Sequence, residues 1–164
     1  MDARDRTDEH VDRWRPLLPG LDPDTEGAVT RVHFLSRHLK QDRERYLADA
    51  GLHLHEFETL HALVARGGRA APSALAADLG RPANSVTGRL DGLERRGLVE
   101  RTPSPTDRRR VDVALTADGR DAWQAAMDAL GAEEDRLFAA LTPDERRQLS
   151  DLLRRIMLRA EDRD

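Results

Sequence analysis

The chain has 164 residues, of which 38% are apolar and 35% are charged, and its formal net charge is −4. This length suits one ordinary domain with a long helical dimerisation region, and the composition suits a charge-rich helical protein. The absence of cysteine excludes disulfides and thiolate zinc sites. No apolar run reaches the length of a membrane span, and the charged N-terminus lacks the apolar core of a signal peptide, so we expect a cytoplasmic protein with no membrane partner.

The first third of the chain predicts two helices. We expect residues 1–10 to be frayed and a short helix to cover residues 9–18, because a Pro-Gly pair follows it. A long helix is predicted over residues 24–50, with apolar side chains at helical spacing from Val29 to Leu39.

Three shorter helices are predicted in the middle of the chain, over residues 54–66, 72–79 and 83–96. A tight turn at Gly80 and Arg81 joins the last two, which makes them a helix-turn-helix candidate. The apolar positions of the third helix are four and three residues apart: Val86, Leu90 and Leu93.

A change of period follows these helices. Apolar and other residues alternate over residues 111–115, which predicts a strand, and residues 98–101 are predicted to pair with it as a hairpin. A helix capped by Thr116 is predicted to run to about residue 140. A capping box at residues 142–145 then opens a last helix. Its apolar side chains recur at i, i+3, i+4 and i+7: Leu149, Leu152, Leu153 and Ile156.

Positive charge is concentrated in one segment. Residues 81–110 hold eight arginines and four acids, a local net of +4, so the remainder of the chain carries −8. A basic segment on an acidic body is expected of a protein with one DNA-facing surface. The alternative is a solvated, arginine-rich loop without a partner.

The outer face of the predicted helix 83–96 suits contact with DNA bases. Small or hydrogen-bonding side chains lie near its N-terminus, where helices in the major groove touch base edges. Asn84 is expected to pair with adenine and Arg89 with guanine, while Ala83 and Gly88 allow close backbone approach. The alternative is an ordinary helix pair in an all-α domain. The predicted contacts in and around the two helices are Ser73, Arg81, Ala83, Asn84, Ser85, Thr87, Gly88 and Arg89.

The predicted hairpin would form a basic wing directly after that helix. Its tip carries four charged residues: Asp107, Arg108, Arg109 and Arg110. Arginine on a protruding loop suits a minor groove, where negative potential is focused, and further arginines suit phosphates. The alternative is an exposed basic loop paired with Asp107 and Asp112.

Residues 54–119 resemble the winged helix-turn-helix transcriptional regulators of the MarR family. The resemblance rests on EFETLHAL (56–63), SALAADLGRPANSVTGRLDGLERRGLVER (73–101) and TDRRRVDVALTADG (106–119). It implies a mainly α fold with a small β-hairpin wing, in which Arg109 enters the minor groove and Asp107 helps to position it. Ala71 and His53 depart from the pattern, because a capping Thr or Ser is usual there.

The resemblance also implies a homodimer on double-stranded DNA, joined through N- and C-terminal helices. The apolar stripes at 29–39 and 149–156 independently exceed what one small winged domain covers. We therefore assign residues 1–50 to N-terminal helices that serve dimerisation and a ligand pocket, residues 51–116 to DNA binding and residues 117–164 to dimerisation. We also expect a pseudo-palindromic operator and a repressor.

Regulators of this kind usually release DNA when a small anionic or phenolic ligand binds. The residues that we select for such a pocket are aromatic, cationic or imidazole side chains: Trp14, His33, Phe34, His38, Phe57 and Arg66. Trp14 resembles a residue of the urate-responsive branch, but Gly67 follows Arg66 where that branch has an acid. The alternative for Trp14 is a core anchor of a short helix.

Other functions remain as alternatives. An enzyme is not expected, because the sequence has no phosphate-binding glycine loop, HExxH or GxSxG, and we predict no catalytic residue and no cofactor. The histidines between residues 33 and 61 lack a pattern that fixes metal geometry, so we predict no metal site. A winged helix that binds proteins instead of DNA predicts a wing without arginines.

Overall fold

A computed structural model describes residues 3–103 and 111–162. Its elements follow in this order: α1 (Arg6–Trp14), α2 (Pro23–Asp49), α3 (Leu54–Ala65), β1 (Arg69–Ala70), α4 (Pro72–Asp78), α5 (Ala83–Arg95), β2 (Val99–Pro103), β3 (Val111–Leu115), α6 (Ala117–Phe138) and α7 (Pro143–Glu161). The predicted class, mainly helical with a small β-hairpin wing, is confirmed. The chain divides into two compact units, Met1–Asp49 and Ala50–Asp164. The predicted boundary near residue 116 stays a prediction.

The first unit is an α1–α2 pair, and its first helix differs from the prediction. We expected a frayed start and a helix over residues 9–18, but α1 begins at Arg6 and ends at Trp14. The reason is a capping box, in which the Asp5 carboxylate accepts from the backbone of Thr7 and Asp8, and the Asp8 side chain accepts from the Asp5 backbone N–H. The cap satisfies amides that a frayed N-terminus would leave to water.

The second unit contains a sheet and the three middle helices. The antiparallel strands lie in the order β1-β3-β2, with Val99 opposite Leu115 and Pro103 opposite Val111. Strand β1 is two residues long and was not predicted, because so short a segment carries no alternation to detect. The core under the sheet and helices is apolar and almost fully buried, and it includes Leu60, Leu63, Leu75, Val86, Leu90, Leu93 and Val113.

The last two helices begin at the predicted caps. The Thr116 hydroxyl accepts from the N–H of Gly119, and Thr142 forms the predicted capping box with Glu145. Helix α7 has no buried residue, and its apolar stripe is open: Leu152, Leu153 and Ile156 are 46%, 40% and 63% exposed. An amphipathic helix with so much exposed apolar surface is typical of an interface element.

Candidate nucleic-acid interface

A glycine turn sets α5 at its angle to α4. Gly80 has a φ of +57°, which a side chain disfavours, and the N–H of Arg81 donates to the Ala76 carbonyl to close the end of α4. Pro82 then precedes α5 as its N-cap residue. Val86 and Leu90 of α5 are no more than 1% exposed, so the helix is anchored by its inner face.

Seven of the eight predicted DNA-contacting residues in and around α4 and α5 are exposed. Those that the solvent reaches are Ser73, Arg81, Ala83, Asn84, Ser85, Thr87 and Gly88. The Asn84 carbonyl oxygen accepts from the backbone N–H of Ser85 at 2.8 Å, and the Thr87 hydroxyl donates to the Ala83 carbonyl at 3.0 Å. Both side chains are therefore held against their own helix.

Gly88 and Arg95 share the outermost stripe of α5 with Asn84, because residues spaced by four and seven lie on one helical face. A Cβ atom at Gly88 would meet no atom within 4 Å, so the backbone there is open to a close approach. Arg95 is exposed and has no carboxylate partner within residues 3–103 and 111–162. Sequence reasoning missed Arg95, although its spacing from Asn84 and Gly88 was available.

Arg89 is the exception, and its predicted outward position is wrong. Its side chain is only 15% exposed, and its guanidinium turns from the outer face toward α3. There Nη1 donates to the Glu58 carboxylate at 3.2 Å and approaches the His55 carbonyl at 3.4 Å. Position 89 lies on the flank of α5, beside the buried Leu90, so a long side chain is within reach of α3.

Two further arginines of the basic segment also pair with carboxylates of the second unit. Arg96 donates to the Glu56 carboxylate at 2.6 Å and to the Gly51 carbonyl at 2.7 Å. Arg101 of β2 bridges Asp91 and Glu94 of α5, which ties the wing to the helix before it. The local charge of +4 thus overstates what the described residues offer to DNA, since only two arginines there, Arg81 and Arg95, lack a carboxylate partner.

Glu56 is a buried carboxylate held in its charged form. Burial alone would raise its pKa, but hydrogen bonds from the Arg96 guanidinium and the His53 backbone N–H more than offset this, and its pKa is lowered. At the N-terminus of α3, the Glu56 carboxylate therefore accepts from the backbone N–H of His53, the N-cap residue. Ala71, the other departure, gives α4 no side-chain cap.

The wing is described at its base and not at its tip. The predicted contacts Asp107, Arg108, Arg109 and Arg110 lie outside the described residues. At the base, Gly119 of α6 lies so close to Leu98, the residue before β2, that an added Cβ would be 1.9 Å from the Leu98 carbonyl oxygen. Glycine is therefore required there, which explains the last residue of the TDRRRVDVALTADG match.

The predicted pocket residues lie in both units, four in the first and two in the second. Phe34 and His38 line a groove of about 650 Å³ in the first unit, together with Arg6, Arg31 and Arg37. Trp14 and His33 are exposed and do not line this groove, and Trp14 packs on His10. In the second unit, Phe57 is a buried core residue, and Arg66 forms an ion pair with Asp78 of α4. Arg66 thus has an acidic partner, which comes from another helix instead of position 67.

Among the described helices, none combines the length and the hydropathy that a bilayer crossing needs.

Comparisons with known proteins agree with this fold. The model of the MarR family matches residues 50–110. The regulator PecS of Dickeya dadantii is 28% identical over 89% of this chain and 89% of its own, and the repressor YetL of Bacillus subtilis is 29% identical over 83% and 89%. The MprA repressor of Escherichia coli K12 is 29% identical over 85% and 80%.

Solved structures with a similar fold include the following two. YusO of Bacillus subtilis superposes with a TM-score of 0.73 at 21% identity, over 82% of this chain and 94% of its own. A mutant MarR from Escherichia coli has a TM-score of 0.65 at 26% identity, over 78% and 94%. The curated relatives are named as regulators, not enzymes. Residues 50–110 thus match the MarR family, and the chain as a whole is similar to winged helix-turn-helix transcriptional regulators.

Proposed function

We propose that this regulator inserts α5 into a DNA major groove, as one half of a homodimer on a pseudo-palindromic operator. The observation that carries the proposal is the division of α5 into two faces. Val86, Leu90 and Leu93 are at most 1% exposed, while Asn84 and Gly88 face solvent. A helix anchored in this way presents its N-terminal outer residues to base edges.

Charge around α5 supports the same orientation. Arg81 before the helix and Arg95 in its last turn are the described arginines of the basic segment that remain for phosphate contacts. Arg109 would enter the adjacent minor groove, with Asp107 positioning it and with Arg108 and Arg110 on phosphates. One structural neighbour, a mutant MepR of Staphylococcus aureus with a TM-score of 0.65, was solved bound to an oligodeoxyribonucleotide.

The test is fluorescence anisotropy with the DNA that lies upstream of the protein's own gene. Gly88→Ala would place a methyl group where the backbone approaches DNA, while gaining up to about 1 kcal/mol of helix propensity. We expect a more stable protein that binds about tenfold more weakly, since a lost base contact costs roughly 1–3 kcal/mol.

Gly131→Ala is the matched control, because a Cβ at that helical glycine also meets no atom within 4 Å. It should gain stability and keep its DNA affinity. Arg109→Ala should weaken binding without unfolding the protein. If Gly88→Ala and Arg109→Ala both bind like the unmodified protein, the proposed interface is wrong.

The dimer is proposed from α7 and from the N-terminal helices. The open stripe of α7 and the exposed Val29 and Val32 of α2 are apolar surfaces of the kind that a second copy buries. A two-fold dimer presents two copies of α5 to half-sites about one helical turn apart. Sedimentation of a stable monomer at micromolar concentration would contradict it. We also propose that the protein acts in the cytoplasm as a repressor. The names of the YetL and MprA repressors support repression.

An effector site is proposed in the groove of the first unit. The guanidinium carbons of Arg6 and Arg37 lie 5.0 and 5.8 Å from the ring centroid of Phe34, and neither has a carboxylate partner within residues 3–103 and 111–162. Two such cations beside an apolar ring favour an anion with an aromatic body. One structural neighbour with a TM-score of 0.61 is an organohalide-sensing transcriptional regulator, which supports a small-molecule signal.

Titration calorimetry with benzoate, in the absence of DNA, tests the groove directly. Arg37→Ala and Phe34→Ala should each weaken benzoate binding at least several-fold. Arg43→Ala, at an exposed arginine that does not line the groove, is the control. Equal affinity in all of these proteins would place any effector elsewhere.

A further inference from the structure

We infer that Arg89 is a positioning residue, whose ion pair with Glu58 fixes the DNA-facing half of α5 on α3 without contacting DNA itself. The inference rests on the proposed placement of α5 in the major groove. It assigns Glu58, which lies on α3 and outside the predicted interface, a part in DNA affinity.

The contacts of Arg89 are those of an anchored side chain. Its guanidinium is shared between the Glu58 carboxylate and the carbonyl of His55, both in the first half of α3. That carbonyl also accepts from the fully buried hydroxyl of Thr59 at 2.7 Å, so the anchor point is itself fixed. With 15% of the side chain exposed, little of it is available to a ligand.

A second anchor lies two turns further along α5. Arg96 joins the end of the helix to Glu56 and to the Gly51 carbonyl. Seven residues separate Arg89 from Arg96, which is about 10 Å along a helix axis. The buried Val86, Leu90 and Leu93 hold the inner face of α5, and two ion pairs about 10 Å apart add resistance to a change in its direction on α3. The pair Arg89–Glu58 is the one nearer to Asn84 and Gly88. Its loss therefore loosens the N-terminal half of α5, which carries the proposed base contacts.

The alternative is that Arg89 leaves Glu58 and binds DNA. That exchange would leave the Glu58 carboxylate, 37% exposed, without its cation beside a negatively charged duplex. It would also withdraw a mostly buried side chain from α3. The two possibilities predict opposite effects of removing Glu58, because Glu58 is a support in the first case and a competitor of DNA in the second.

The experiment measures DNA affinity against salt concentration for Arg89→Ala, Glu58→Ala and the double variant. Arg95→Ala is the control on the same helix, and a thermal melt verifies that each variant is folded. If the pair positions α5, each single variant reduces the fraction of protein with α5 correctly placed, and apparent affinity falls with that fraction, by about fivefold. The double variant should be no weaker than the singles.

The slope of log affinity against log salt distinguishes positioning from contact. Each phosphate contact contributes a slope of about −0.9, so Arg95→Ala should reduce the slope by about one contact while Arg89→Ala leaves it unchanged. Arg89→Lys, which keeps the charge, should recover part of the affinity. Tighter binding by Glu58→Ala, or a reduced slope for Arg89→Ala, would overturn the inference. If Arg95→Ala and Asn84→Ala also leave affinity unchanged, the proposed placement of α5 fails instead.

Discussion

Replacing Gly119 by alanine should destabilise the second unit, although alanine is the better helix former. An ideal Cβ at this position lies 1.9 Å from the oxygen and 2.9 Å from the carbon of the Leu98 carbonyl. Carbon–oxygen contacts in proteins are ordinarily about 3.3 Å or longer, so the backbone of α6 and that of the segment leading into β2 must separate by more than 1 Å. Both contacting atoms are backbone, and no flexible side chain can yield.

The free-energy cost follows from what that movement disturbs. Overpacking costs about 1–3 kcal/mol, and occasionally more. The Leu98 carbonyl also accepts from the N–H of Thr116 at 3.3 Å, and the Thr116 hydroxyl donates to the Gly97 carbonyl at 2.7 Å. Losing these two bonds adds about 1 kcal/mol each. Helix propensity returns at most about 1 kcal/mol, which leaves a net loss of about 2–4 kcal/mol.

The assay is thermal unfolding followed by circular dichroism, at a fixed protomer concentration. For a chain of this length, about 2–4 °C of Tm accompanies each kcal/mol, so Gly119→Ala should melt about 5–15 °C lower. Gly131→Ala, on the same helix in open space, should melt at the same temperature or slightly higher. The reasoning would be refuted if both variants shifted Tm upward together.

Four other substitutions test the caps, the buried carboxylate and the open helix. Thr142→Ala removes the capping box of α7 and should cost about 1 kcal/mol, while Ala71→Ser supplies the missing cap of α4 and should gain a similar amount; a melt of each variant checks this. The lowered pKa of Glu56 stabilises the fold above the ordinary carboxyl pKa, and this contribution is lost as pH falls through the folded value. Arg96→Ala should therefore cost about 1–2 kcal/mol at pH 7 in urea titrations and lose less stability than the unmodified protein between pH 6 and pH 3; equal pH dependence in the two proteins would contradict the assignment. Ile156→Glu places a charge in the apolar stripe of α7 and should give a folded monomer in sedimentation, whereas an unchanged dimer would remove α7 from the interface.

Helix positions were predictable because their causes are local. The spacing of Val86, Leu90 and Leu93 and the capping box of Thr142 lie within one or two turns, and the structure has both. Helix α1 began three residues early because the cap at Asp5 was overlooked, although its residues are adjacent in sequence. The residues that decide where α1 begins are adjacent in sequence, so the sequence alone was sufficient to locate this cap.

The directions of charged side chains were not predictable in the same way. Arg89 and Arg96 find their partners, Glu58 and Glu56, 31 and 40 residues away in sequence. Only the packing of α3 against α5 brings these groups together, so a helical wheel of α5 alone places Arg89 outward. Gly119 is a similar case, because the carbonyl that excludes its side chain belongs to residue 98.

The open stripe of α7 affects how the amount of DNA-binding protein depends on the total concentration of the chain. If only a second copy covers Leu152, Leu153 and Ile156, the DNA-binding species forms by a bimolecular reaction. Below the dissociation constant of the dimer, the concentration of that species rises with the square of protomer concentration. Operator occupancy then changes more steeply than gene dosage, so that halving the protein reduces the active species about fourfold. Dimerisation through the exposed stripe of α7 would thereby set the protein concentration at which the operator becomes occupied.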